Sequence, residues 1–294
     1  MGFSSMDDLV NEITTNGKFL RSDWNKITGA AAYTAGRWYD FSGLGGTPIA
    51  NAWAGTALAW RTCDETTGNG TQIFGLPHGG NVSPDTKHIL NVSAVTAVAT
   101  GVPAQLMLVD LQGYWPGIST NSATLQTLTG TPTLRYTNGA GCRLFTVSTV
   151  ASGATAHNIS LSYSNTTPTS GRSLPVTVSM TASAIVGHIA HSGTAANNYG
   201  PFLPLASGDT GVSNVASVTM SAASGAGTIA LCLARPLLTL PITTASVAAE
   251  RDLLNQLPSL PRVVDGACLT WLYFAGAATA ANTNFYGAVE FGWG

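Results

Sequence analysis

The residues of this chain best placed to do chemistry are His188 and His191, three apart in the run Gly187-His188-Ile189-Ala190-His191. With His78 or His88 as a third donor they could hold zinc, which takes imidazole nitrogens in a tetrahedral set. In an extended strand, however, positions i and i+3 face opposite sides, and no carboxylate stands nearby in sequence to orient either ring. The pair therefore reads as structural. Glycoside hydrolysis needs two carboxylates across a cleft, and the candidates Asp40, Asp64, Glu65, Asp85, Asp110, Asp209 and Glu290 are dispersed. The adjacent pair Asp64-Glu65 would point to opposite faces of a strand. G-x-S-x-G, P-loop and H-E-x-x-H patterns are absent. The glycine-rich stretch Gly43-Leu44-Gly45-Gly46-Thr47-Pro48 lacks the following helix and lysine of a phosphate loop, so it reads as a connection. Cys63, Cys142, Cys232 and Cys268 are too far apart for C-x-x-C chemistry and read as reduced core thiols. No catalytic, cofactor-binding or metal-ligating residue is assigned, and a non-enzymatic protein without a cofactor is expected.

The aromatic residues offer a different chemistry, stacking on sugars. Most of them, such as Trp38, Tyr39, Trp60, Trp271 and Tyr273, alternate with small residues as core side chains do. Tyr114-Trp115, in an expected turn Gly113–Gly117, and Trp293 near the C-terminus are the candidates for exposed stacking. Composition points elsewhere. Of 294 residues 45% are hydrophobic and only 9% charged, against roughly 25% charged in an average domain. Much of the surface must then be Ser, Thr, Asn, Gly and Ala, a neutral exterior suited to burial in an assembly. The net charge of -2 gives no basic field for nucleic acid. No apolar run reaches the ~20 residues of a membrane span, and the N-terminus lacks a secretory signal, so synthesis in a cytoplasm is expected.

The elements that must position these residues are β-strands. Ile159, Leu161 and Tyr163 alternate with serines, and Val176, Val178 and Met180 with Ser and Thr; with Arg143–Ser148 they read as an antiparallel meander. No Asp or Glu occurs between Asp110 and Asp209, so the wet face of this meander is hydroxyl-rich. Expected hairpins join 89–95 with 105–110, 215–222 with 228–234, and 268–274 with 285–291. A helix over Ser246–Leu254 is flanked by Pro236, Pro241, Pro258 and Pro261. Leu106, Leu108, Ile159, Leu161, Tyr163, Val176, Val178, Ile229, Leu231 and Leu272 are the expected core.

Before Arg37 the pattern is helical. Ser5 can cap a helix that starts with Asp7 and Asp8 and ends at Asn16-Gly17, and Phe19–Ile27 reads as a further turn or two. The expected organisation is an N-terminal helical arm over 1–36 and a β-sandwich body over 37–294, with a subdivision near 130–140. Because a helix this short seldom persists alone in water, Leu9, Ile13, Phe19 and Trp24 are the candidate assembly anchors.

Several stretches resemble structural proteins of tailed bacteriophages: Met6–Thr14, Arg37-Trp38-Tyr39-Asp40, His78–Pro84, Thr86–Asn91 and Gly113-Tyr114-Trp115-Pro116. The resemblance implies an all-β antiparallel sandwich or jelly roll on the head surface of a virion, acting as a decoration or cement protein. It also implies a homo-oligomer, a trimer, bound to the major capsid protein; charge and the lack of a long apolar run already point away from a nucleic acid or membrane partner. A double jelly-roll capsid protein, a receptor- or glycan-binding virion protein and a polysaccharide-acting enzyme are the alternatives, in that order.

Overall fold

The computed structural model describes residues 2–193, 200–256 and 260–294, with the side chains of 255 and 256 left aside. Helix α1 (Met6–Thr14) comes first. The longer strands follow in chain order: β1 (Phe19–Ile27), β2 (Arg37–Asp40), β3 (Lys87–Val95), β4 (Ala104–Ser119), β5 (Arg143–Val150), β6 (His157–Asn165), β7 (Val212–Met220), β8 (Thr228–Ile242), β9 (Leu269–Ala275) and β10 (Asn284–Trp293). They form an all-β fold of three antiparallel sheets. A central sheet has the order β2-β9-β4-β8-β5, and one outer sheet runs Ala249–Asp252, β3, β10, β1, Gly46–Thr47. The second outer sheet runs Arg172–Ser173, β6, β7, Gln126–Thr127, with Val178–Met180 also on β6. The strands of that second outer sheet all fall between Gln126 and Met220, with β5 of the central sheet among them.

The two long strands β4 and β8 explain how one sheet serves two cores. They pair from Ala104↔Ile242 to Ser119↔Thr228, with three register shifts on the way. Leu106, Leu108, Leu238 and Leu240 face the first outer sheet, where they bury Ile89, Val92, Phe285 and Phe291. Further along, Trp115, Ile118, Leu231 and Leu233 meet Ile159, Leu161, Val215 and Val218 of the second. Val109, Leu111, Tyr114 and Cys232 alternate to the other face, beneath Trp53, Phe74 and Ile189. A bulge adds one residue to one strand and shifts which side its neighbours face; here the shifts keep the apolar residues of both ends on one common face. Val264 packs against both front clusters and marks their seam.

At the seam a charge pair is buried. Arg135 Nε donates to Asp110 Oδ2 at 3.2 Å, its Nη2 donates to Oδ1, and its Nη1 donates to the Cys63 carbonyl at 2.6 Å. The Cys268 amide adds a 2.9 Å hydrogen bond to Asp110 Oδ1. Removing either partner would strand an uncompensated charge, a cost of roughly 3–5 kcal/mol.

The class and most of the expected core are as the sequence reads, but the pairing is not. β3 and β4 lie in different sheets, as do β5 and β6, β7 and β8, and β9 and β10. The expected hairpins are thus crossings from one layer to the other; only β6 and Val178–Met180 pair as the meander requires, with Ile159 opposite Val178. Alternation specifies which face of a strand is buried, not which strand lies beside it. Val176, expected in the core, is 42% exposed just before that short strand. Phe19–Ile27 is a strand rather than helical turns, paired residue for residue with Asn284–Gly292 of β10. Among the described residues, 2–36 is therefore helical only over α1. Leu20 and Trp24 fit a helical spacing of four and also a strand period of two, and the inward Lys26 concealed the alternation. Ala249–Asp252 is likewise a strand, leaving a helix only at α2 (Leu253–Gln256); Pro258 lies outside the described residues.

Candidate assembly surface

α1 begins as its cap residues dictate. Ser5 Oγ accepts from the Asp8 amide at 3.0 Å, and Asp8 Oδ2 accepts from the Ser4 amide at 2.8 Å. The first bond satisfies an N-terminal donor that a helix leaves open, and the hydrogen bonds from the Ser4 amide and hydroxyl hold the Asp8 carboxyl below its ordinary range. The helix then folds back on its own chain. Leu9 is buried, and a Cβ on Gly292 of β10 would lie 3.6 Å from Ile13 Cδ1. Lys18 ties this end down, bonding Glu12 and Asp85 at 2.8 Å each.

The four candidate anchors therefore separate. Trp24 sits inside the first core cluster, 5.3 Å centroid to centroid from Trp271, and Leu9 is buried. Ile13 is half-buried and Phe19 is 39% exposed. Two residues not singled out from the sequence stand outward instead: Met6, 58% exposed, and Val10, 51% exposed. They lie one helical turn apart and make an apolar pair on the free side of α1. The signal was present, because apolar residues at 6, 9, 10 and 13 supply two stripes. Only docking decides which stripe is inward.

A second surface is defined by what it lacks. β6, β7 and Val178–Met180 carry no Asp, Glu, Lys or Arg. Ile159, Leu161 and Tyr163 point inward, while Asn158, Ser160, Ser162 and Ser164 face out, beside Ala216, Ser217 and Thr219 of β7. This is the hydroxyl-rich face expected from the alternation. Its nearest ion pair is Arg172–Asp209, 3.0 Å, at the sheet edge.

The chemistry-bearing residues are largely internal. His191 accepts or donates between Thr146 Oγ1 at 2.9 Å and the Pro201 carbonyl at 3.0 Å, and burial lowers its pKa to about 4. His188 stacks obliquely on Tyr39 at 5.2 Å, with its pKa lowered to about 3 by burial and then by Arg37 and His191. Both rings are neutral packing groups at pH 7. His78 is buried beside Lys87, whose Nζ lies 3.0 Å from its Nδ1 and donates to the carbonyls of His78 and Gly80. Burial lowers the pKa of both groups. Among the described residues no group of three His, Cys, Asp or Glu could hold a metal ion. All four cysteines are buried and free.

Tyr114 and Trp115 do not form the expected turn. Both are fully buried within the continuous strand β4. Gly113 makes this possible, since a Cβ there would collide with the Arg61 carbonyl and the Trp60 ring. Trp293 is half-buried, with the Lys87 ammonium 5.4 Å from its ring centroid.

No protein-family model and no curated protein sequence matches this chain. Among solved structures it is distantly similar to the VP2 subviral particle of infectious bursal disease virus, at 8% identity over 93% of this chain and 80% of that one, with a TM-score of 0.19. It is also similar to the Gt strain of the same virus, at 8% identity over 94% and 81% of the two chains, with a TM-score of 0.15. Likeness of that order carries no argument, so the functional reading rests on the chain's own surfaces.

Proposed function

We propose that this chain is a non-enzymatic virion structural protein, a decoration or cement protein that stabilises the head of a tailed bacteriophage. It would bind the major capsid protein as a homo-oligomer, a trimer. The observation that supports this most is the uncharged outer face of β6 and β7. A neutral hydroxyl and methyl surface costs little to desolvate compared with charged groups, and it opposes no like charge to a second copy or to a lattice. The exposed pair Met6 and Val10, with Phe19, supplies apolar contacts at the other end of the molecule.

The alternatives draw less from the geometry. A glycan-binding role through Trp115 fails because that ring is sealed in the core. A double jelly-roll capsid would have two separate pairs of sheets, whereas β4 and β8 run through both packings here.

The test is reconstitution with particles lacking this protein. Full-length chain should decorate them and raise their resistance to heat, and a chain lacking residues 1–17 should remain folded and fail to decorate. Undecorated particles with the full-length chain would end the proposal.

A further inference from the structure

Where the two front clusters meet, the shared face of the central sheet turns polar. β8 places Arg235 directly across the ladder from Asp110. Beside Arg235 opens a cleft of ≈ 570 Å³ whose walls include Arg135, Tyr136, Arg235, Leu237, Pro261 and Arg262. Three of the nine arginines of the chain thus converge on one hollow. The carboxylate beneath them, Asp110, is already engaged by Arg135 and the Cys268 amide. Arg135 is equally committed, with its N–H groups on Asp110 and on the carbonyls of Cys63 and Leu111.

Arg235 and Arg262 are not. The Arg235 guanidinium lies 4.2 Å from the centroid of the Tyr136 ring, and a Cβ at Gly141 would lie 3.5 Å from its Nε. Contact with the ring and with the glycine restricts where its donor edge can turn. Arg262 comes from a different wall, the short strand Arg262–Val263 against β3. Among the described residues, neither takes part in an ion pair. Of the acids of the adjoining cleft, Asp85 is paired with Lys18, and Asp265 accepts from the Val82 amide and forms no ion pair with either arginine. Cations gathered in a partly enclosed site repel one another, and an entering anion relieves that repulsion.

We propose that this cleft binds a small organic phosphate. Guanidinium groups arriving from separate walls suit a tetrahedral anion, which accepts hydrogen bonds from several directions, better than a carboxylate, which accepts in one plane. Pro236, Leu237, Pro261 and Val264 give the apolar part of the ligand a wall. The volume is that of a small-molecule site, about 300–1,000 Å³. The inference does not depend on the virion reading.

Calorimetric titration of the full chain with phenyl phosphate, inorganic phosphate and benzoate, at constant ionic strength, tests it. Phenyl phosphate should bind at one saturable site, more tightly than inorganic phosphate or benzoate. Arg235→Gln should weaken it by about tenfold or more, because a charge-assisted bidentate contact is lost. Arg235→Lys should also weaken it, since an ammonium neither stacks flat nor spans two oxygens. Arg21→Gln, at an exposed ion pair with Asp23 and Glu290, should leave binding unchanged. Circular dichroism and urea midpoints monitor folding, and the exposed Arg262→Gln provides the same readout if Arg235→Gln does not fold. Absence of saturable binding, equal affinity for benzoate, or unaltered binding by folded Arg235→Gln or Arg262→Gln would overturn the assignment.

Discussion

The buried histidines show how a residue that looks chemical can serve packing and still leave a measurable trace. His191 is neutral when folded, with a pKa of about 4 against an ordinary value of 6.5. A histidine whose folded pKa is depressed contributes stability that is complete above pH 6.5 and is lost as the pH falls toward 4, because the unfolded chain takes up the proton first. Between pH 7 and pH 5 that loss is about 2 kcal/mol for His191 at 1.36 kcal/mol per pH unit. Urea unfolding of wild type and His191→Asn at the two pH values should show a smaller acid penalty in the variant, whatever its stability at pH 7. Equal penalties would mean that the ring titrates freely in the fold. Leu161, deep in the second front cluster, makes the complementary case without a charge. Leu161→Ala should cost ~2–5 kcal/mol by leaving a cavity that a sandwich core cannot close, read from the same urea midpoints.

At the scale of elements, the N-terminal segment divides at Gly17. α1 leans on β10 and buries one leucine, so removing residues 1–17 should leave a folded protein with a modest drop in melting temperature. Removing residues 1–27 takes away β1 as well. That strand fills the place between β10 and Gly46–Thr47 and carries Trp24 into the core, so the longer deletion should abolish cooperative unfolding in circular dichroism. Similar melting curves for the two truncations would contradict this division. β4 offers a second element-level test. Gly113→Ala puts a methyl group against the Arg61 carbonyl and the Trp60 ring, and overpacking of that kind costs about 1–3 kcal/mol. The lowered midpoint should be accompanied by a shifted tryptophan emission, since Trp60 and Trp115 sit 4.5 Å apart.

For the molecule as a whole, the second outer sheet makes association a question of neutral contact. If copies meet through β6 and β7, sedimentation at 0.05 and 0.5 M salt should give nearly the same association constant, because salt screens charges and this face has none. A Ser162→Lys change at its centre should oppose like charges between copies across that contact and reduce association without altering the monomer's unfolding. Strong salt dependence of the wild type would instead place the contact on a charged surface, such as the one around Arg21 and Glu290.

Composition and alternation by themselves determined the all-β class, the hydroxyl-rich face, the cap of α1 and nearly all the expected core, since each depends on local period or on residue type alone. They could not decide which strands pair. The same two-residue period serves a hairpin and a crossing between layers, and so Leu108 faces Ile89 across a core instead of lying beside it. They misplaced Tyr114 and Trp115 because glycine marks both a turn and a bulge within a continuing strand. They were silent on the arginine cleft, since Arg135, Arg235 and Arg262 are far apart in sequence and meet only where one sheet is shared by two cores. Likewise, which apolar stripe of α1 faces outward follows from where β10 lies, and that position is a property of the assembled sheets.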